Sequence, residues 1–470
     1  MSTFPDRRPP GRPRDHFTPR RGWLNDPNGL VHHEGEYHLF FQHSPDTIVW
    51  GPMSWGHAVS TDLVEWSELP VALPSTEAEH MWSGSVVHDV ANSSGLGTGG
   101  TGPLVALFTS RDTTTGRQSQ HLAHSVDDGR TWEPHASNPV LDIGSTAFRD
   151  PKVIRQDDRW LMVLVLADER TVETYRSSDL LHWEHAASFG PEGSADGVWE
   201  CPDLVRVPVE GTDAYAHVLL VSVLAGAPAG GCGTQYFVGT LEGDRFRSTQ
   251  RAMWMDHGAD FYAAVSYSGS PGVMPVVQAW MSNWLYADRV PATDFRGSMT
   301  VARRLTLRRR GDTLTLVQHP VVRQGLLVHE VTDTELAGVV RLPVEATACR
   351  LVAEVEPGTS GRFELHVRVG PGERTVVWVD WTAGLVGIDR TTAGATAFHP
   401  QFAAVHTAPA PPTDGPLRLE VVVDLSSVEA FIGDGERVLT DQVFPGGSST
   451  GLAVAAHEGA ATLHRLAVYV

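Results

Sequence analysis

A serine, an acidic turn and a closing tryptophan recur three times in the first half of this 470-residue chain. Ser60-Thr61-Asp62-Leu63-Val64-Glu65-Trp66 is echoed by Ser125-Val126-Asp127-Asp128-Gly129-Arg130-Thr131-Trp132 and by Ser177-Ser178-Asp179-Leu180-Leu181-His182-Trp183. The tryptophans stand 66 and 51 residues apart, about one four-stranded blade plus its loops, which points to a β-propeller. Gly239 to Phe246 reads as a fourth echo. Blade tryptophans are packing residues, so the repeat itself is assigned no chemistry. The intervening sequence agrees with an all-β chain. Helical periodicity is hard to find, and short alternating runs are broken by Gly, Pro, Asp and Asn. Glu36 to Gln42 reads as one strand, and Trp160 to Leu166 as another, apolar enough to be buried on both faces.

The pattern changes near Pro320. Beyond Val339 the strands lengthen and become valine-rich: Arg350 to Val355, Arg362 to Val369, Arg418 to Val423 and Leu452 to Ala456, with Ala408 to Pro412 as a loop. These features predict a β-sandwich. The expected organisation is an N-terminal arm over 1–14, a propeller over 15–320, a linker over 321–338 and a sandwich over 339–470. Met1 to Arg14 is basic and proline-rich without an apolar core, so it reads as a flexible arm and not a secretion signal. A cytoplasmic location is therefore expected.

A formal net charge of -20, from 56 acids against 36 bases, argues against nucleic acid and anionic membrane partners. It favours a neutral substrate. No apolar run reaches the ~20 residues of a membrane span. The three cysteines, Cys201, Cys232 and Cys349, form neither a disulfide framework nor a zinc spacing. Among 22 histidines there is no paired ligand motif, so no metal is expected. Gly95 to Gly100 fits a dinucleotide-binding pattern but lacks the strand–turn–helix around it, and reads as a loop.

The chemistry-bearing residues are three carboxylates in unusual settings. Asp26 lies in Trp23-Leu24-Asn25-Asp26-Pro27-Asn28-Gly29-Leu30, Asp150 in Phe148-Arg149-Asp150-Pro151, and Glu200 in Trp199-Glu200-Cys201-Pro202-Asp203. Each has a proline within two residues and aromatic or apolar neighbours, where a surface acid would have polar ones. Rigidly held acids against aromatic walls are what glycoside hydrolysis needs. A nucleophilic Asp26 must be ionised, so turn N–H groups or an arginine are expected to lower its pKa; an Asx-turn acid opening a strand is the alternative. Trp199, Cys201 and Pro202 solvate charge poorly, so Glu200 is expected to keep a proton, as a general acid does. Its alternatives are a buried glutamate paired with an arginine, or Asp203 in the same role. Asp150, held ionised by Arg149, suits gripping sugar hydroxyls; a surface Arg–Asp pair is the alternative.

Together these residues resemble glycoside hydrolase family 32, the invertase, inulinase and levanase group, over nearly the whole chain. Trp23 to Gly29, Phe148 to Pro151 and Glu200 to Pro202 match its W-[LM]-N-D-P-N-G, F-R-D-P and E-C-P motifs. Trp50 to Ala58, Trp82 to Ser85, Asp256 to Ala263 and Asp424 to Phe431 resemble further family segments. The resemblance implies a five-bladed β-propeller followed by a β-sandwich, with no metal or organic cofactor. It implies Asp26 as nucleophile, Glu200 as acid/base and Asp150 as transition-state stabiliser. Asn25, Gln42, Trp50, Trp82, Ser83, Arg149, Asp260 and Trp284 would line the first fructose subsite. Two departures bear on the pocket rim: Trp82 stands where phenylalanine is usual, and His43-Ser44 where tyrosine-asparagine is common. Trp280 to Ala287 resembles the exo-inulinase and levanase version of its segment. The implied function is retaining, exo-acting release of fructose from fructans, fructo-oligosaccharides and sucrose. A fructosyltransferase, a difructose-releasing enzyme or an inactive fructan-binding protein are the alternatives. Linkage preference and oligomeric state are not legible.

Overall fold

The computed structural model describes residues 12–98 and 102–470. Residues 1–11 of the expected arm, and residues 99–101 at the end of the glycine loop, lie outside the described residues. No helix occurs among the described residues, and the chain divides into two compact units.

The unit from Pro19 to Val321 contains five antiparallel sheets. Their first strands are Gly22–His33, Glu79–His88, Phe148–Gln156, Trp199–Pro208 and Tyr262–Ser266. Each first strand lies beside the first strand of the next sheet, and the fifth returns to the first. That cyclic order makes a five-bladed β-propeller with these strands around its axis. The ring closes where Phe295–Arg296 pairs in parallel with Gly22 and Trp23, and where Val31 bridges Ser268. Apolar clusters lie between consecutive blades. One holds Phe40, Trp55, Val86 and Phe108; the next holds Val105, Phe148, Trp160 and Met162. A strand in such a stack has a blade on either side. The strand Arg159–Leu166 is accordingly buried along its whole middle, as its unbroken apolar run predicts.

The recurring serine–aspartate–tryptophan pattern is the turn between the third and fourth strands of the first three blades. Ser60, Ser125 and Ser177 each end a third strand. Their hydroxyls accept from the backbone N–H of Leu63 (2.9 Å), Gly129 (2.9 Å) and Leu180 (2.8 Å). The aspartate two residues on accepts from Glu65, Thr131 and His182 N–H groups. These side chains complete a turn whose own backbone cannot. The fourth echo differs: Gly243-Asp244 is a tight hairpin between Gly233–Glu242 and Arg245–Ser248.

Among the described residues, the second unit comprises residues 12–18 together with Val322–Val470. Its strands form one continuous ten-stranded sheet, folded over a core that includes Leu351, Phe363, Val377, Leu419 and Leu452. The C-terminal strand Gly451–Tyr469 makes the fold possible. Its first half pairs with Arg362–Gly370 and its second half with Cys349–Glu356. Gly459, at φ 141°, stands between the halves. The result is a sandwich-like unit built from a single hydrogen-bonded sheet.

The propeller ends within one residue of the expected 320, but its start and the expected linker differ. The stretch 321–338 is not a linker: Leu327–Glu345 is a long edge strand paired with Gly451–Tyr469. Its sequence reads as a connector because most of its side chains are exposed, with Leu336 and Leu342 the ones that reach the core. Residues 12–18 belong with the second unit because Asp424 holds them. Its carboxylate accepts from the N–H of Arg14 (2.8 Å) and Asp15 (2.7 Å), and meets His16 Nδ1 at 2.9 Å. His16 Nε2 meets Glu429 at 2.9 Å.

Candidate active site

Each innermost strand breaks its register once or twice near its N-terminal end. In Gly22–His33 the breaks lie between Leu24 and Pro27 and between Asn28 and Val31. In Glu79–His88 the break lies between Met81 and Gly84. Further breaks fall at Asp150-Pro151, at Cys201-Pro202 and between Tyr262 and Val265. Four of the residues involved have left-handed backbones: Gly29 (φ 53°), Asp150 (φ 64°), Cys201 (φ 46°) and Ala263 (φ 56°). A bulge re-aims side chains that a flat strand would alternate between faces. Prolines are compatible with such positions because a bulge releases a ladder N–H. Asp26 therefore does not open a strand from a turn; it lies inside an irregular one.

Hydroxyls and a carboxylate compensate the broken ladders. Thr109 Oγ1 accepts from Asp150 N–H (2.9 Å), and Ser222 Oγ from Ala263 N–H (3.0 Å). Cys201 N–H donates to Asp150 Oδ2 (3.0 Å), which joins the third blade to the fourth at the site itself.

The bulges bring Asp26, Asp150 and Glu200 together around Cys201. The Cys201 thiol lies 3.6 Å from Asp26 Oδ2 and 3.8 Å from Asp150 Oδ2. Ser83 donates to Asp26 Oδ2 (2.8 Å) and Asn25 Nδ2 to Asp26 Oδ1 (3.0 Å). Trp23 Nε1 in turn donates to Asn25 Oδ1 (2.7 Å), which fixes the amide. Glu200 receives Arg149 Nη2 (3.0 Å) and Nε (3.2 Å) on one oxygen and the Tyr262 hydroxyl (2.5 Å) on the other.

Two electrostatic expectations are corrected. Burial and the Glu200 charge push Asp26 up to about 6, although hydrogen bonds from Ser83 and Asn25 oppose them. Neither a ring of turn N–H groups nor an arginine holds it down, because Asp26 is in a strand and Arg149 is occupied elsewhere. Burial pushes Asp150 up to about 7, with Arg149 opposing and Glu200 adding to the rise. Arg149 Nε is 3.9 Å from Asp150, farther than from Glu200. Glu200 itself is not left among apolar groups: its carboxylate reaches past Trp199 and Cys201 to Arg149 and Tyr262. Burial and the surrounding carboxylates push the Cys201 thiol up, so it stays neutral.

The other expected subsite residues occupy different depths. Trp50 is 45% exposed, with its ring 6.4 Å from Trp82 in an edge contact. Trp284 stacks on Trp23 at 6.0 Å, beside Trp280 at 4.8 Å, as an aromatic floor near Asn25. Gln42 is buried behind the acids. Its Nε2 donates to Met81 O (2.9 Å) and to Asn28, whose amide is set by its neighbours and reaches Ser83 (3.2 Å). Asp260 is fully buried and accepts from the Tyr286 hydroxyl (2.8 Å). Asp203 is not part of the carboxylate group: it pairs with Lys152 (3.1 Å) on the propeller axis. His43 Nδ1 is bound to Trp23 O (2.8 Å), so this departure supports the strand of Asp26 from behind. Tyr262 has no role among the sequence expectations, and Cys201 enters them only as a poor solvator beside Glu200, though both lie within the recognised motifs. Among the described residues no group of three His, Cys, Asp or Glu side chains is arranged to hold a metal.

A sequence model of the Glycosyl hydrolases family 32 N-terminal domain matches residues 16–320, and one of the family 32 C terminal matches 315–470. The levanase of Bacillus subtilis is 41% identical over 97% of this chain and 70% of its own length. The crystal structure of exo-inulinase from Aspergillus awamori superposes with a TM-score of 0.94, at 35% identity, covering 99% of both chains. The β-fructofuranosidase from Schwanniomyces occidentalis complexed with fructosyl-erythritol superposes at 0.90, with 29% identity and 97% of both chains covered.

Proposed function

Because the chain belongs to glycoside hydrolase family 32, we propose that it is a retaining, exo-acting β-fructofuranosidase. It releases terminal fructose from fructans, fructo-oligosaccharides and sucrose through a covalent fructosyl-enzyme. The observation that carries this reading is the convergence of Asp26, Asp150 and Glu200, 174 residues apart at the extremes, around one thiol. The names of its relatives, levanase, exo-inulinase and invertase, support a fructoside substrate.

Glu200 is the acid/base. It protonates the glycosidic oxygen as Asp26 attacks C2 of the terminal fructose, and then takes a proton from the water that releases the sugar. Asp26 suits the nucleophile because Ser83 and Asn25 hold one hydrogen bond on each of its oxygens. Asp150 grips fructose hydroxyls and faces the developing positive charge. Burial raises Asp26 to about 6 and Asp150 to about 7, so the pocket holds a proton close to neutrality. Double displacement needs an ionised nucleophile and a proton on the acid/base. Trp50 and Trp82 form the aromatic rim against which a leaving sugar rests.

The test is a time-resolved product profile on sucrose, inulin-type oligosaccharides and levan. Fructose as sole early product is expected, and the relative rates name the preferred linkage. Difructose or longer new oligosaccharides would move the assignment to a biose-releasing enzyme or a transferase. Glu200→Ala should lower turnover of these substrates by about 10²–10⁴-fold; near-normal turnover would remove Glu200 from the acid/base role.

A further inference from the structure

The innermost strands carry the three acids near one end. Their other ends line a separate open cavity of about 1170 Å³. Between the two, Lys152 Nζ binds Asp203 Oδ2 (3.1 Å), Ser266 O (2.5 Å) and Ser266 Oγ (3.0 Å), which blocks the axis with buried side chains. This cavity is therefore not an extension of the catalytic pocket.

Its lining combines two features. Arg155 and Arg206 come from the adjacent innermost strands Phe148–Gln156 and Trp199–Pro208. Each guanidinium lies over an aromatic ring, Trp160 at 4.8 Å and Tyr215 at 4.1 Å. Neither forms an ion pair with a carboxylate among the described residues, in a chain with 56 acids and 36 bases. An arginine stacked on a ring has its plane fixed; Arg155 Nε donates to Asp157 O (3.1 Å), which leaves its terminal N–H groups, with those of Arg206, for forked recognition of a phosphate. The second feature is a set of imidazoles lining the same cavity, His32 and His88 from the first two blades and His217 opposite Arg206 in the fourth. Burial lowers the pKa of each, so at neutral pH they offer uncharged donors and acceptors to hydroxyl groups.

We propose that this distal axial cavity is a second ligand site, for a phosphorylated sugar whose phosphate is held by Arg155 and Arg206 and whose ring hydroxyls face the histidines. The site belongs to the same strands as the carboxylates: Arg155 is five residues beyond Asp150, and Arg206 six beyond Glu200. Its binding measurement stands apart from the hydrolytic reading; only the fructose competition and the kcat/KM control rest on that reading.

The experiment is titration calorimetry of the intact protein with fructose 6-phosphate, in the presence of saturating fructose to fill the catalytic pocket. Binding should persist under fructose and weaken at least tenfold in Arg155→Gln/Arg206→Gln. The sucrose kcat/KM of that variant should be unchanged. Loss of binding on adding fructose would place the ligand in the catalytic pocket and overturn the proposal, as would equal affinity of the double variant. Inorganic phosphate binding as tightly as the sugar phosphate would overturn the assignment of the histidines to the sugar hydroxyls.

Discussion

Ser83 gives the most direct handle on the site at the scale of a residue. Its hydroxyl donates to Asp26 and lowers a pKa that burial and Glu200 raise to about 6. An ionised Asp26 is the form that attacks, so activity should fall as pH drops through about 6. In Ser83→Ala the opposing hydrogen bond is gone, the pKa rises further, and the acid limb of the kcat/KM profile should move to higher pH. An unmoved limb would mean that Asp26 does not control it. The acids themselves were legible because their aromatic and proline neighbours are wrong for surface carboxylates. The partner of Arg149 was not. In sequence Arg149 adjoins Asp150, whereas in space it serves Glu200, 51 residues on. Tyr262 was illegible for the same reason: its hydroxyl acts on a residue from another blade.

Among elements, the bulged innermost strands decide what the site can be. Prolines at 151 and 202 mark two of them in the sequence. Nothing local marks the left-handed Ala263, or the hydroxyls from neighbouring blades that complete the broken ladders. Alternation arguments predict strands but not where two residues face one. That is why an Asx-turn acid stood as the alternative for Asp26, which is found within Gly22–His33. Thr109 tests the point. Thr109→Val keeps the shape but leaves the buried Asp150 N–H without its acceptor. A loss of about 1–3 kcal/mol is expected, read as a lowered melting temperature, with a fall in kcat from a displaced Asp150. Unchanged stability would show that the bulge is held by other means.

At the scale of the whole molecule, the propeller was legible because its turn motif repeats, and the second unit because its strands lengthen. The place of residues 12–18 was not, since it depends on Asp424 and Glu429 more than 400 residues away. Burial alone would depress His16, but these two carboxylates raise it to about 10, against 6.5 unfolded. The stability it contributes is fully present below about pH 6.5 and is lost as pH rises toward 10. His16→Ala leaves buried carboxylates without that cation and should cost about 3–5 kcal/mol. Melting curves from pH 6 to 10 should converge for the two proteins at the alkaline end; a constant gap would rule out the ionic origin.

The ring has a seam, and the seam has a location. The first blade meets the fifth through Gly22 N–H to Asp294 O (2.8 Å), His32 N–H to Ser268 O (2.8 Å) and Ser268 N–H to Leu30 O (2.9 Å). Those bonds bracket the strand that carries Asp26. Consecutive blades are joined by the chain, whereas these innermost strands meet through contacts alone, so local opening is expected at this seam, which shares one segment with the proposed nucleophile. Heating should therefore silence the enzyme before it melts: activity is lost, and amide exchange at Gly22, His32 and Ser268 quickens, while the far blades keep their protection.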